Sequence, residues 1–285
     1  NMGLSGLGFF GADVGGFARN CSPELLARWT QCGAFYPFFR NHTCDNTIYQ
    51  EPWRFGEEIE AICRDAINLR YRLLPYFYQL FYEMHKYGNP ILRPLFWHYQ
   101  DDPVTHSLAD QFLVGNYLLV APVVERGATT RKVYLPEGNW FDYSTGEAYS
   151  GKQWYVVHAP LNTIPIFVKA GSILPVMPVV PSTDQIDPTQ AYFQLIPGHQ
   201  RISEYWYEDD LRTLAYQKGD VCMHKVTMEP HQLNLEMDPN SALKQIHLRL
   251  YRPALERIPS GFEGEGLWAR KTIECQPQII VSFQD

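Results

Sequence analysis

The chain has 285 residues, enough for one large domain or two to three smaller ones, and its 45% hydrophobic content can fill real cores. A net charge of −7 with no basic cluster argues against nucleic acid or an anionic membrane surface as partner, and no apolar run approaches the roughly 20 residues of a membrane span. The six cysteines, Cys21, Cys32, Cys44, Cys63, Cys222 and Cys275, show no metal-ligand spacing, so they read as thiols of an intracellular, cytoplasmic protein with no metal and no cofactor.

Residue 1 is Asn, and the chain opens almost inside an apolar run, so it is expected to be cut from a longer protein. Leu7-Gly8-Phe9-Phe10 reads as a buried strand. The run Gly11-Ala12-Asp13-Val14-Gly15-Gly16-Phe17 follows and puts Asp13 at or just past the strand's C-terminal end. Barrels and open α/β sheets place their chemistry there. The three glycines allow a sharp turn and a close approach of backbone to a ligand. Ser22-Pro23 predicts a helix start, with Ser as N-cap and Pro in the first turn. Leu25, Leu26 and Trp29 supply its apolar face, and Gly33 is the expected stop. A second strand is expected over residues 36–42, with Tyr36, Phe38, Arg40 and His42 on one face. Ile59, Ile62, Ala66, Leu69, Leu73, Phe77, Leu80 and Met84 step by three or four, which predicts a long amphipathic helix. Pro75 should kink or break it, and Gly88-Asn89-Pro90 ends it.

Beyond Pro90, short apolar runs alternate with turns. Residues 91–97, 117–124, 132–135, 154–157, 164–168 and 173–176 read as strands of a β-sandwich. Residues 178–188 are rich in Pro, Ser, Thr and Asp and mark its end. A second β region follows over 191–196, 202–207, 222–228, 246–251 and 279–283. The fold class is therefore α/β plus all-β.

Asp13 is a candidate ligand-binding carboxylate; the competing reading is a turn-forming Asp. Its run lacks the Gly-Lys-Ser/Thr of a phosphate loop. Arg40 and His42 are costly to bury alone, so they are expected to face a polar pocket or a carboxylate. A neutral His offers one donor and one acceptor, which suits a pair of sugar hydroxyls; the alternative is a core His bonded to backbone. Trp53 in Glu51-Pro52-Trp53 is a candidate for stacking a sugar ring or for covering the site. The run Tyr205-Trp206-Tyr207-Glu208-Asp209-Asp210 reads better as a strand entering an acidic turn than as a cation or sugar site. Asn41-His42-Thr43 matches a glycosylation sequon but falls within the expected site.

These motifs together resemble glycoside hydrolase family 31, the α-glucosidase and α-xylosidase family. The resemblance rests on residues 11–17, on Arg28-Trp29-Thr30-Gln31-Cys32-Gly33-Ala34-Phe35-Tyr36-Pro37-Phe38, on Arg40-Asn41-His42 and on Glu51-Pro52-Trp53. It continues through Arg70-Tyr71-Arg72-Leu73-Leu74-Pro75-Tyr76, Leu118-Leu119-Val120-Ala121-Pro122-Val123 and Tyr207-Glu208-Asp209-Asp210. It implies that residues 1–89 are the C-terminal remnant of a (β/α)8 barrel, strands 7 and 8 with helices 7 and 8. Two β-sandwich-like domains would follow, a proximal one at 90–180 and a distal one at 181–285.

The implied function is that of a retaining exo-α-glucosidase acting on terminal α-linked glucose of oligosaccharides. Such an enzyme works through two carboxyls about 5–5.5 Å apart. The family's nucleophile and acid/base motifs do not occur here, so no catalytic residue is assigned, and the missing N-terminal part of the same protein is an expected partner. This chain alone is expected to be inactive. The implied substrate-binding residues are His42, Asp13, Phe17, Arg40 and Trp53, with Arg40 pairing with a carboxylate such as Asp13. An α-xylosidase or α-glucosyltransferase of the same family is the runner-up. A carbohydrate-binding β-module and a standalone enzyme using Asp13 with Glu51 are the rivals from other classes. Nothing in the residues speaks to oligomeric state.

Overall fold

The structure is a computed structural model that describes residues 2–255 and 257–283. It divides into two units, Asn1–Ser144 with Ala148–Val168, and Thr145–Glu147 with Lys169–Asp285.

In the first unit, strands β1 (Asp13–Val14) and β2 (Arg40–Asn41) run parallel, with Asp13 beside Arg40 and Val14 beside Asn41. A parallel pair needs a crossover, which helix α1 (Pro23–Gly33) supplies. The helix starts as its cap chemistry dictates: Ser22 Oγ accepts the Leu25 N–H at 3.1 Å, and Pro23 occupies the first turn. Its buried side is Leu26, Ala27, Thr30 and Gln31, whereas Leu25 is exposed and Trp29 half-buried. The apolar face is thus rotated from the expected one. Gly33 lies inside the helix, and a Cβ there would meet Val14 Cγ2 at 2.7 Å, so it permits close helix–strand packing rather than a stop.

Residues 7–10 form no strand. Leu7 and Phe9 are exposed, and a Phe38 N–H to Phe10 O bond of 2.9 Å is what joins the segments ahead of β1. The expected strand over 36–42 shrinks to Arg40–Asn41, so Tyr36, Phe38, Arg40 and His42 do not share a strand face. The cause lies in the backbone groups before it. The Tyr36 N–H returns to Gly33 O, and the Arg70 guanidinium donates to the carbonyls of Ala34, Tyr36 and Pro37. Groups used this way are lost to a ladder.

The long helix is two: α2 (Glu57–Arg72) and α3 (Leu74–Tyr87), parted at Leu73 with Pro75 in the first turn of α3. A proline is tolerated there because its missing N–H has no helical partner to lose. Gly88 closes α3 at φ 75°, with its N–H on Met84 O at 2.9 Å. Val14, Leu26, Ala27, Ile59, Ile62 and Cys63 form the core between β1, α1 and α2.

The rest of this unit is β structure: β3 (Leu92–Arg93), β4 (Phe112–Val114), β5 (Leu118–Val120), β6 (Thr130–Leu135), β7 (Asn139–Asp142), β8 (Ala148–Ser150), β9 (Gln153–His158) and β10 (Ile166–Lys169). Six strands make a sheet in the order β3-β4-β5-β10-β7-β8, and β6 pairs with β9 as a ribbon. Leu113, Leu119, Trp140 and Phe167 from the sheet meet Val133 and Leu135 from the ribbon in one core. Arg28, only 9% exposed, ties α1 to this region. Its Nη1 donates to Pro160 O and Thr163 O at 3.1 and 2.8 Å, and its Nη2 to Ala128 O and Ala159 O at 3.1 and 2.8 Å.

The second unit carries β11 (Ser172–Val176), β12 (Gln190–Ile196), β13 (Ile202–Glu208), β14 (Cys222–Glu229), β15 (Gln232–Glu236), β16 (Gln245–Tyr251), β17 (Glu263–Glu265), β18 (Trp268–Glu274) and β19 (Gln278–Ser282). Sheets of order β11-β12-β16-β18-β17 and β13-β14-β15-β19 enclose a core that includes Phe193, Leu248 and Leu250 from one and Val226, Leu233 and Val281 from the other. Residues 173–176, grouped by sequence with the first β region, pair here with β12. The run 205–210 is a strand entering a closed turn. Asp209 accepts from Leu211 N–H and Tyr207 OH, Asp210 accepts from Arg212 and Thr213, and Glu208 takes His224 Nε2 and Ser241 Oγ.

Replacing Arg28 by Met keeps much of the side-chain volume and strands four carbonyls. A hydrogen bond to a charged group contributes about 1.5–3 kcal/mol, so a loss of about 3 kcal/mol is expected in urea unfolding followed by tryptophan fluorescence. An unchanged midpoint would remove Arg28 from this role.

Candidate functional site

The loops after β1 and β2 leave the same end of a parallel pair, the C-terminal end, where such sheets carry their ligands. The chain reverses after β1 through Gly16 N–H to Asp13 O at 2.9 Å, with Gly15 at φ 88° and Gly16 at φ 97°. Only glycine adopts such angles without strain. A Cβ on Gly15 would also lie 2.7 Å from Gln50 Oε1, so the loop packs closely against the Gln50 side chain at this point.

Arg40 Nε donates to Asp13 Oδ1 at 2.6 Å, the pair being register neighbours across the ladder. Their side chains remain 48% and 21% accessible, so the pair is open to a ligand. The Arg40 guanidinium also stands 5.4 Å from the Phe38 ring centroid. Phe17 and His42 stack with ring centroids 5.5 Å apart and planes at 29°. Both are exposed. The two loops are sewn together at Phe17 O, which accepts from Thr43 Oγ1 at 3.1 Å and from Cys44 N–H at 2.9 Å. The structure thus brings Asp13 to Arg40, and Phe17 to His42. Trp53 stands in the 3-10 turn Pro52–Phe55, 68% exposed, on the same loop as His42. Arg40 has the carboxylate partner expected of it, and His42 is exposed, so it is not the core His of the alternative reading.

Gln50 is the residue that sequence reasoning passed over. It is 4% exposed, and its Nε2 lies 3.4 Å from Gly16 O, from His42 O and from Asn41 Oδ1. Asn41 Nδ2 in turn donates to Gln50 O at 2.7 Å. The Nε2 donor of this neutral amide joins the β1 loop to the β2 loop, while its buried Oε1 has no hydrogen-bond partner. Its only sequence signal is its place just before Glu51-Pro52-Trp53.

The thiols near α1 are poor nucleophiles. Burial pushes Cys21 and Cys32 up to about 11, which leaves them protonated at neutral pH. Among the described residues, no three His, Cys, Asp or Glu side chains gather as a metal site, and no helix is long and apolar enough to cross a membrane. What the site offers is one ion pair, one imidazole and exposed rings, which together suit an uncharged, hydroxyl-rich ligand with an apolar face.

Residues 1–80 match the model of the glycosyl hydrolases family 31 TIM-barrel domain, and residues 88–174 match that of the family 31 C-terminal domain. Alpha-glucosidase 2 of Bacillus thermoamyloliquefaciens is 45% identical over 229 residues, which is 80% of this chain and 29% of that protein. A Flavobacterium johnsoniae GH31 dextranase complexed with glucose superposes with a TM-score of 0.88 at 32% identity, covering 99% of this chain and 40% of that one. The GH31 alpha-xylosidase of Xanthomonas citri superposes with a TM-score of 0.86 at 30% identity, covering 99% of this chain and 32% of that one. The chain spans between 19% and 29% of the length of the first curated relatives it matches. With both of its domain models matched in order along the sequence, the chain belongs to glycoside hydrolase family 31.

Proposed function

We propose that the chain is the C-terminal part of a retaining exo-α-glucosidase that hydrolyses terminal α-linked glucose from oligosaccharides. In this reading β1, α1, β2 and the α2–α3 pair are strand 7, helix 7, strand 8 and helix 8 of a (β/α)8 barrel. The nucleophile and the acid/base would come from polypeptide preceding Asn1. The observation that carries the proposal is the 2.6 Å Asp13–Arg40 pair on the first rung of a two-residue parallel ladder, with the stacked Phe17 and His42 on the segments that leave the ladder's C-terminal end.

Each group has a part in holding the terminal sugar. Arg40 takes Asp13 Oδ1, which leaves Oδ2 to accept a glucose hydroxyl. The fixed orientation is what makes that acceptor useful, since the geometry is set before the sugar arrives. His42, with one donor and one acceptor when neutral, addresses two adjacent hydroxyls. Phe17 lies against one face of His42 and offers an apolar wall to the pyranose C–H face. Asp13 is a binding group here and not one of a catalytic pair, because its carboxylate is committed to a guanidinium. Retention needs two carboxyls about 5–5.5 Å apart, and in this reading both lie elsewhere in the barrel.

In the full-length enzyme, His42→Ala is expected to lower kcat/KM for maltose by roughly 2–4 kcal/mol, about 30- to 1,000-fold, if its bonds tighten in the transition state. Unchanged steady-state kinetics would take His42 out of the site. Asp13→Asn should weaken the hold on Arg40 and cut kcat/KM at least about tenfold. Full activity of that variant would sink the assignment of Asp13 to the sugar. Gln50→Leu keeps the volume but leaves Gly16 O and His42 O unpaired, at a cost of about 1–3 kcal/mol. Calorimetry should show a lower Tm together with a raised KM; a change in Tm alone would make Gln50 purely structural.

A further inference from the structure

Helix α1 carries a second apolar stripe that the core beneath it does not use. Leu26, Ala27, Thr30 and Gln31 are buried, whereas Leu25, Trp29 and Cys32, spaced by four and then three, run along another side. Across from this stripe lies Pro122-Val123-Val124, the segment that follows β5, and the two line one groove of about 450 Å³. Leu25 and Val124 are 42% and 67% exposed at its opening.

The walls of the groove are held by specific contacts. Glu24 Oε1 accepts the Gly127 N–H at 2.5 Å, Arg28 Nη2 donates to Ala128 O at 3.1 Å, and Arg131 Nε donates to Pro122 O at 2.9 Å. The shape is therefore set before anything enters it, which lowers the entropy spent on filling it. The Glu24 carboxylate and the Arg28 Nη groups at its border are already bonded, and the other two charges in the lining, Glu125 and Arg126, are of opposite sign. An occupant has to bring apolar surface rather than net charge.

The order of the domains points to what that occupant is. The TIM-barrel model matches residues 1–80 and the C-terminal model follows at 88–174. A (β/α)8 barrel takes roughly 250 residues, and residues 1–80 supply one parallel pair of strands. With the C-terminal domain already following, the rest of such a barrel comes earlier in the polypeptide, in keeping with the 19–29% of the first relatives' length that the chain spans. We infer that the groove seats an apolar segment of the polypeptide that precedes residue 1. The inference rests on the reading of this chain as the C-terminal part of a longer enzyme. A segment lying there touches α1 and residues 122–124 together, so it joins the barrel part to the β structure that follows it.

The test uses the full-length enzyme. Val124 and Val156 are the same side chain at nearly the same exposure in this chain, 67% and 71%, which makes Val156 an internal standard. In hydroxyl-radical footprinting of the wild-type enzyme, read by mass spectrometry, Val124 is expected to be modified about tenfold less than Val156. The photoreactive variant Val124→p-benzoylphenylalanine should cross-link on irradiation to a peptide from ahead of residue 1. Equal modification of the two valines overturns the inference. So does the lack of that cross-link, whether it goes to a second copy of the enzyme, stays within residues 1–285 or fails to form. An open groove in an enzyme that hydrolyses maltose overturns the seat and leaves the glucose pocket standing. A filled groove in an enzyme that leaves maltose intact keeps the seat and sinks the glucosidase reading.

Discussion

The contact between Asp13 and Arg40 across a two-residue parallel ladder sets the geometry of everything around it. It is not there for stability. With the side chains 48% and 21% accessible, an ion pair of this kind contributes less than about 1 kcal/mol. Its effect is orientational. Register places the two side chains side by side, and one oxygen of the carboxylate is fixed by the guanidinium Nε at 2.6 Å. Register in turn depends on α1 returning the chain parallel to its start, and on the close approach of α1 to Val14 that Gly33 permits.

Two kinds of polar anchoring divide the work in the first unit. Arg28 and Arg93 are buried and spend their donors mainly on neutral acceptors: four carbonyls for Arg28, and Pro90 O, Asn116 and His98 for Arg93, with Glu83 at a longer 3.4 Å. Arg70 behaves alike, with three carbonyls and a ring at 3.8 Å, and burial lowers its guanidinium to about 10. Each binds loop backbone that has no ladder to join, so irregular segments are satisfied without strands. Gln50 does the same for the site loops without bringing in a charge. A second cation beside Asp13 would have competed with Arg40 for its oxygens, whereas a neutral amide braces the backbone and leaves that pair alone.

Sequence was most informative where the chemistry is local. Ser22-Pro23 specified the start of α1 because a cap is made within three residues, and Pro75 specified the break at Leu73 because the missing N–H acts on its own turn. The long strands β12, β14 and β16 were legible from branched and aromatic runs. It was least informative where the outcome depends on a distant partner. Residues 7–10 and 36–39 have strand-like composition, yet Arg70, thirty or more positions away, takes the carbonyls of Ala34, Tyr36 and Pro37. Strand β18, Trp-Ala-Arg-Lys-Thr-Ile-Glu, is masked by its charges, and β17 is three exposed residues with no apolar pattern at all. Of the site, Asp13 and Arg40 were readable as a pair through the family motifs. Gln50 was not, because a buried amide leaves no period and no spacing to read.

The contrast between Arg40 and the three structural arginines also bears on how the site meets its ligand. The Nη1 and Nη2 groups of Arg28 and Arg70 are spent on backbone carbonyls. Arg40 has one short bond to a carboxylate and a ring centroid at 5.4 Å, and it remains half accessible. In the proposed reading, sugar hydroxyls at the pair repeat the hydrogen bonds of solvent, a nearly even exchange in enthalpy. The net gain then has to come from apolar contact, which explains the company the pair keeps. Phe38 faces the Arg40 guanidinium and Phe17 stacks on His42, and both rings are at least 37% exposed. On the proposed reading, polar groups fix which hydroxyls are met, while ring area supplies the apolar contact.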